Sequence, residues 1–127
     1  METRETKRRG LLIVDHGTRH ASANARLARL AERVASARRD WLVRHAHMEL
    51  AQPDFAASVD ALVADGAREI LVHLHFLGAG MHVRETIPEL VESARSRHPT
   101  IAIRTTDPLG DDPRLVDIVL ERMDEDR

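Results

Sequence analysis

The sequence contains no cysteine and no tyrosine, and its aromatic side chains amount to one tryptophan and two phenylalanines. Without cysteine there is no disulfide, no thiolate chemistry and no cysteine-ligated zinc or iron–sulfur site. There is little net charge either: 19 lysines and arginines against 21 aspartates and glutamates leave a formal charge of -2. That balance gives no electrostatic footprint for nucleic acid. No apolar run approaches the roughly 18 residues needed to cross a bilayer, so no membrane partner is expected. Met1 to Gly10 is polar and charged, which does not read as a secretory signal, and the expected compartment is the cytoplasm. What is present is 43% hydrophobic and 31% charged residues in 127 positions, the range of one globular domain. Eight histidines stand out against the few aromatics.

Hydrophobic periodicity orders the chain. Residues 1–9 read as a flexible lead-in, and a single domain is expected over residues 10–124. Gly10 to Val14 is a continuous apolar run, the pattern of a strand covered on both faces. Leu27, Leu30, Ala31 and Val34 fall at helical spacing within Ala23 to Arg38, and Arg26, Arg29 and Arg33 form a solvated face. Trp41 to Leu50 alternates and reads as an edge strand because of Arg44, His45, His47 and Glu49. Pro53 is expected in the first turn of a second helix with Phe55, Val59, Leu62 and Val63 inward, ended by Gly66 in a left-handed cap. Glu69 to Leu77 is a third strand. Thr86 and Glu89 fit a capping box opening a third helix on Ile87, Leu90, Val91 and Ala94. Ile101 to Thr105 is a fourth strand, and Asp112-Pro113 starts a last helix with Leu115, Val119 and Met123 inward. Alternation of strand and helix predicts an α/β fold: one doubly wound, parallel, four-stranded sheet with helices on both faces.

In such folds ligands bind beyond the carboxyl ends of the strands. Three strand ends there offer His16, Glu49 and His82. Two neutral imidazoles and a carboxylate suit a borderline divalent ion such as cobalt, iron, nickel or zinc, with coordination positions left open. The same histidines equally fit loop residues making ordinary hydrogen bonds, and spacing alone does not choose. His45 and His47 share one strand face, as do His73 and His75; a solvated edge or satisfied core histidines account for these pairs, with His75 the accessory candidate because it adjoins the loop. His20 and His98 read as surface residues near helix ends. Arg19 and Arg84 flank the candidate ligands and suit ligand carboxylates. Gly17, Gly78 and Gly80 are read as positions where a side chain would block the backbone or a ligand, and as freedom for His82. Neither GxGxxG nor a P-loop is present, so nucleotide binding has no support.

Three segments, VDHGTR, MELAQP and HFLGAGMHVRETIP, resemble in order the HG[ST]R, ELA-x-P and FL-x-x-G-x-H-V-x-x-D-I-P pattern of the small class II chelatases, the CbiX-type sirohydrochlorin cobalto- and ferrochelatases. The likeness runs from about Leu11 to Arg122. It implies that His16 and His82 are the metal-site histidines, that Glu49 is the nearby acid, and that all three are catalytic. It implies insertion of cobalt or iron, with nickel equally admissible, into sirohydrochlorin, a tetrapyrrole with eight carboxylates. No organic cofactor is implied, and a homodimer is. Gly78, Gly80, Arg19 and Arg84 become substrate-binding candidates. Two positions depart from the pattern: Asp15 stands where glycine is usual, and Thr86 where aspartate is expected. The alternative is a metal or tetrapyrrole carrier without catalysis. A histidine phosphatase, suggested by DHGTRH, is disfavoured because Asp15 stands where its phosphate-holding arginine is needed and would repel the dianion.

Overall fold

The computed structural model describes residues 8–78 and 80–125. Its elements run β1 (Arg9–Asp15), α1 (Ala21–Ala37), β2 (Leu42–His47), α2 (Phe55–Ala64), β3 (Glu69–Leu74), α3 (Met81–Arg97), β4 (Ala102–Thr105) and α4 (Arg114–Glu125), with a 3-10 turn at Leu109–Asp111 before α4. The strands form one sheet in the order β2-β1-β3-β4, and every neighbouring pair is parallel. The expected α/β architecture is observed. Strand order reverses around β1: the chain passes outward to β2, then back across to β3. The carboxyl ends of β1 and β3 therefore flank the switch point at which such sheets open a crevice.

Alternation along the strands divides the core in two. Leu12, Val14, Ala46, Ile70, Val72 and Leu74 face the layer of α2 and α3, where Phe55, Val59, Leu62, Ile87, Val91 and Ala94 close a continuous cluster. Ile13 faces α1 with Leu27 and Ala31, flanked by the half-buried Leu11, Leu30, Val34 and Val43. The arginines of α1 are exposed, as their spacing predicts.

Several expectations are corrected. Part of the lead-in, residues 1–7, lies outside the described residues; Arg9 belongs to β1, and the Arg8 carbonyl accepts from Arg68 N–H at 2.7 Å. Pro53 precedes α2 rather than opening it. Asp54 is the cap, its carboxylate accepting from Ala57 N–H at 2.8 Å. Gly66 does take a left-handed φ of 114° at the end of that helix. β2 and β3 end earlier than predicted, at His47 and Leu74. α3 begins at Met81, with Gly80 as its extended N-cap, so Thr86 and Pro88 lie inside the helix. An interior proline costs about 3 kcal/mol. Here Ile87, Val91 and Ala94, buried against the sheet, hold the helix through it, while the amino-terminal turn is exposed.

The last helix departs most. Leu115, Val119 and Met123 do not point into the core, and α4 has no buried residue. Val116, Val119, Leu120 and Met123, spaced as one helical stripe, are each 49–65% exposed. On β4, Ala102 and Arg104 face away from the α2–α3 cluster and are also exposed. α1 thus stands alone as the packed helix of its sheet face among the described residues.

Candidate active site

β1 delivers His16 at the switch point, and two backbone hydrogen bonds align the next strand end with it. Met48 N–H donates to the Asp15 carbonyl at 2.8 Å and Glu49 N–H to the His16 carbonyl at 3.1 Å. Gly17 makes that approach possible. Its φ is 89°, and a Cβ there would collide with the Glu49 carbonyl. Leu50, with a φ of 67°, turns the chain away after Glu49. Asn24 on α1 braces the loop from below, accepting from Thr18 N–H at 3.0 Å and donating to the Thr18 carbonyl at 2.9 Å.

His82 arrives from the first turn of α3, not from a loop. Its Nε2 lies 2.7 Å from Glu49 Oε1, while His16 Nε2 lies 3.6 Å from Glu49 Oε2. The two imidazole rings are 6.1 Å apart at 61°. One ligand atom from each of His16, Glu49 and His82 can be chosen so that all lie within 4.8 Å of one another. Strand-end logic therefore brings together the three residues it selected. All three side chains remain in contact with solvent.

The outer ring nitrogens are oriented too. His16 Nδ1 sits 3.2 Å from the Gly17 carbonyl, which can only accept; the proton belongs on Nδ1, leaving the Nε2 lone pair free. His82 Nδ1 lies 3.3 Å from Thr86 Oγ1, one helical turn on. Were His82 Nε2 to hold an ion, Nδ1 would carry the ring proton and the Thr86 hydroxyl is placed to accept it. The hydrogen bond from His82 draws the Glu49 carboxyl below its ordinary value, outweighing the partial desolvation that opposes it. Glu49 is ionised at neutral pH.

Asp15 has a defined partner. His47, buried at 1% exposure, donates Nδ1–H to Asp15 Oδ1 at 2.6 Å. Of the two readings open for this residue, solvated edge or satisfied core histidine, burial beside Asp15 selects the second. His98 is likewise paired, 2.7 Å from Asp60 on α2. Arg19 and Arg84 are exposed and have no ion pair among the described residues. Among the described residues nothing lies within 4 Å of a Cβ built at Gly78 or Gly80, so no protein atom requires glycine there. The glycine that matters on this side is Gly110, unmarked by its sequence neighbours: a Cβ on it would strike the Leu77 carbonyl, and its N–H donates to Phe76 at 2.9 Å. Leu50, Leu77 and Met81, at 50%, 76% and 70% exposure, adjoin the site in sequence; Leu50 and Leu77 stand in the ELA-x-P and FL-x-x-G-x-H segments, but none of the three was named as a site candidate.

A family model for CbiX matches residues 10–126. The chain belongs to the CbiX family. Among CbiX relatives, the chloroplastic sirohydrochlorin ferrochelatase of Arabidopsis thaliana is 33% identical over 90% of this chain and 51% of its own length. The sirohydrochlorin cobaltochelatase of Methanosarcina barkeri (strain Fusaro / DSM 804) is 24% identical over 94% of this chain and 98% of its own. The sirohydrochlorin chelatase SirB from Bacillus subtilis subspecies spizizenii, solved in complex with cobalt, superposes with a TM-score of 0.83 at 30% identity, covering 93% of this chain and 50% of SirB. The chain thus spans about half the length of the plant enzyme and of SirB, and nearly all of the archaeal one.

Proposed function

We propose that this chain inserts a divalent cobalt or iron ion into sirohydrochlorin or a closely related tetrapyrrole, the ion being substrate and no organic cofactor being required. One observation carries the reading: Glu49 bridges His16 and His82 with ligand atoms inside 4.8 Å. The relatives named for ferrochelatase and cobaltochelatase activity supply the substrate class.

Insertion consumes an M2+ ion and a macrocycle with two pyrrole N–H groups, and it yields the metallated ring and two protons. His16 Nε2 and His82 Nε2 hold the incoming ion, with water in the remaining positions. Coordination takes His82 away from Glu49, and the freed carboxylate is the acceptor for pyrrole protons, directly or through one water. Exposure of the site lets those protons leave to solvent. Leu50, Leu77 and Met81 offer apolar contact to a flat macrocycle, and the guanidinium groups of Arg19 and Arg84, without an ion pair among the described residues, suit its peripheral carboxylates. Gly78 and Gly80 leave the macrocycle room on this loop. Nickel meets the same donor set, since imidazole and carboxylate accept all three ions.

The working form is a homodimer in the cytoplasm. Its support is the uncovered apolar stripe of α4, together with relatives about twice as long as this chain. No described helix is long and apolar enough to cross a membrane.

Purified protein is mixed with sirohydrochlorin and cobalt or ferrous ion, and absorbance is followed. Insertion runs above the uncatalysed rate, and His16→Ala and His82→Ala abolish the acceleration while circular dichroism stays unchanged. A spectral shift on binding without faster insertion makes the protein a carrier, and normal turnover in both variants removes the site assignment.

A further inference from the structure

β3 carries a second imidazole pair that the chelatase reading leaves unused. His73 and His75 are two residues apart, so both project from the sheet face opposite the α2–α3 layer, the side on which Ile13 meets α1. His73 Nε2 and His75 Nδ1 are 3.1 Å apart, with the rings 5.3 Å between centroids and tilted by 47°. Metal–imidazole bonds of about 2.0–2.1 Å at angles between octahedral and tetrahedral put two nitrogens about 2.9–3.4 Å apart. The pair already has the spacing of two ligands on one ion.

We propose that His73 and His75 form a second site for a borderline divalent cation of the cobalt, nickel and zinc class, separate from His16, Glu49 and His82. Both rings are half-buried. His73 also borders a cavity of about 420 Å3 beside Thr106, Asp107 and Asp111, which gives an ion an approach and room for water ligands. Burial, with the adjacent His75 ring as the lesser cause, holds His73 below the ordinary histidine value. In the ion-free chain one ring donates a single N–H to the other. On coordination that ring shifts its proton to its other nitrogen, and both facing lone pairs turn to the ion with no net proton release.

The position fits a holding site for the same kind of ion that the proposed reaction consumes. His75 N–H donates to the Val14 carbonyl at 2.8 Å, so the pair stands one strand from the segment that leads into His16. The ion-binding claim itself does not rest on the chelatase reading and would hold equally in a carrier.

The test counts ions without any tetrapyrrole. Cobalt(II) chloride is titrated into the full chain and into a variant with His16→Ala, Glu49→Ala and His82→Ala, with calorimetry and visible absorbance as readouts. The triple variant retains one cobalt per chain, and adding His73→Gln and His75→Gln removes it. Ring-nitrogen NMR of the triple variant with zinc then shows shifts at His73 and His75. Binding of no ion by the correctly folded triple variant overturns the proposal. So does an ion count that the two glutamines leave unchanged, which assigns the cobalt to other surface histidines. Should the glutamine variant misfold, the zinc-dependent ring shifts decide alone. Loss of insertion activity with this count intact would mark failure of the chelatase reading, not of the second site.

Discussion

The two faces of this sheet are built from the same strands and do different work. Toward α2 and α3 the side chains form one apolar cluster in which Phe55, Val59, Leu62 and Ile70 are essentially closed to water. Toward α1 the buried apolar set shrinks to Ile13, Leu27 and Ala31, and the positions nearer the carboxyl edge hold Asp15, His45, His47, His73 and His75. Apolar burial contributes roughly 25 cal/mol per Å2 and scales with area. The first face therefore supplies most of the stability, and the second is free to carry titratable groups. His45 and His73 are both held below the ordinary histidine value by burial first, a sign of imidazoles kept neutral on a partly covered surface.

Truncation on each face measures the contrast. Phe55→Ala removes the largest fully buried side chain of the closed cluster and should lower unfolding free energy by about 3–5 kcal/mol. Leu27→Ala on the α1 side should fall near the low end of the Leu→Ala range, about 2–3 kcal/mol, because its cluster is small and its neighbours can relax toward solvent. Urea denaturation of both variants checks this. Equal losses would mean that the α1 face is as tightly closed as its opposite.

Gly17→Ala tests the seam where the faces meet the site. The left-handed φ alone costs on the order of 1–3 kcal/mol for a residue with a side chain, and the new Cβ meets the Glu49 carbonyl. Relief requires the β1–α1 turn and Glu49 to separate, which breaks the Glu49–His16 backbone bond. The expected outcome is a moderate loss of stability and a much larger loss of the proposed metal-insertion activity. Retention of both would show that the turn's close approach is not needed to place Glu49.

How far the sequence was legible depends on the range of the forces involved. The strands, the helices and the apolar faces of α1 to α3 follow from local periodicity, and they are observed close to where it puts them. The convergence of His16, Glu49 and His82 was readable because parallel α/β topology gathers strand ends. The pairing of His47 with Asp15 was hidden, since it depends on the register of β1 against β2, and so was Gly110, whose constraint comes from the distant Leu77. The start of α3 was misread because Thr86, Pro88 and Glu89 carry the signals of a helix beginning. Burial of Ile87, Val91 and Ala94 overrides them from outside the segment.

α4 shows the opposite limit, where periodicity is right and its usual meaning is wrong. A stripe of Val116, Val119, Leu120 and Met123 announces a face that should be covered, but nothing local says by what. Val119→Glu separates the choices. If a second copy covers the stripe, the charge leaves the unfolding free energy of the dilute monomer within about 0.5 kcal/mol, as for other exposed positions. It should also shift the population from dimer to monomer in light scattering at higher concentration, because a carboxylate in an apolar interface must be desolvated without a partner. If the stripe instead folds back onto the bare side of β3 and β4 in the same chain, the variant loses stability independently of concentration. A dimer that persists unchanged with Glu at this position places its contact on another surface.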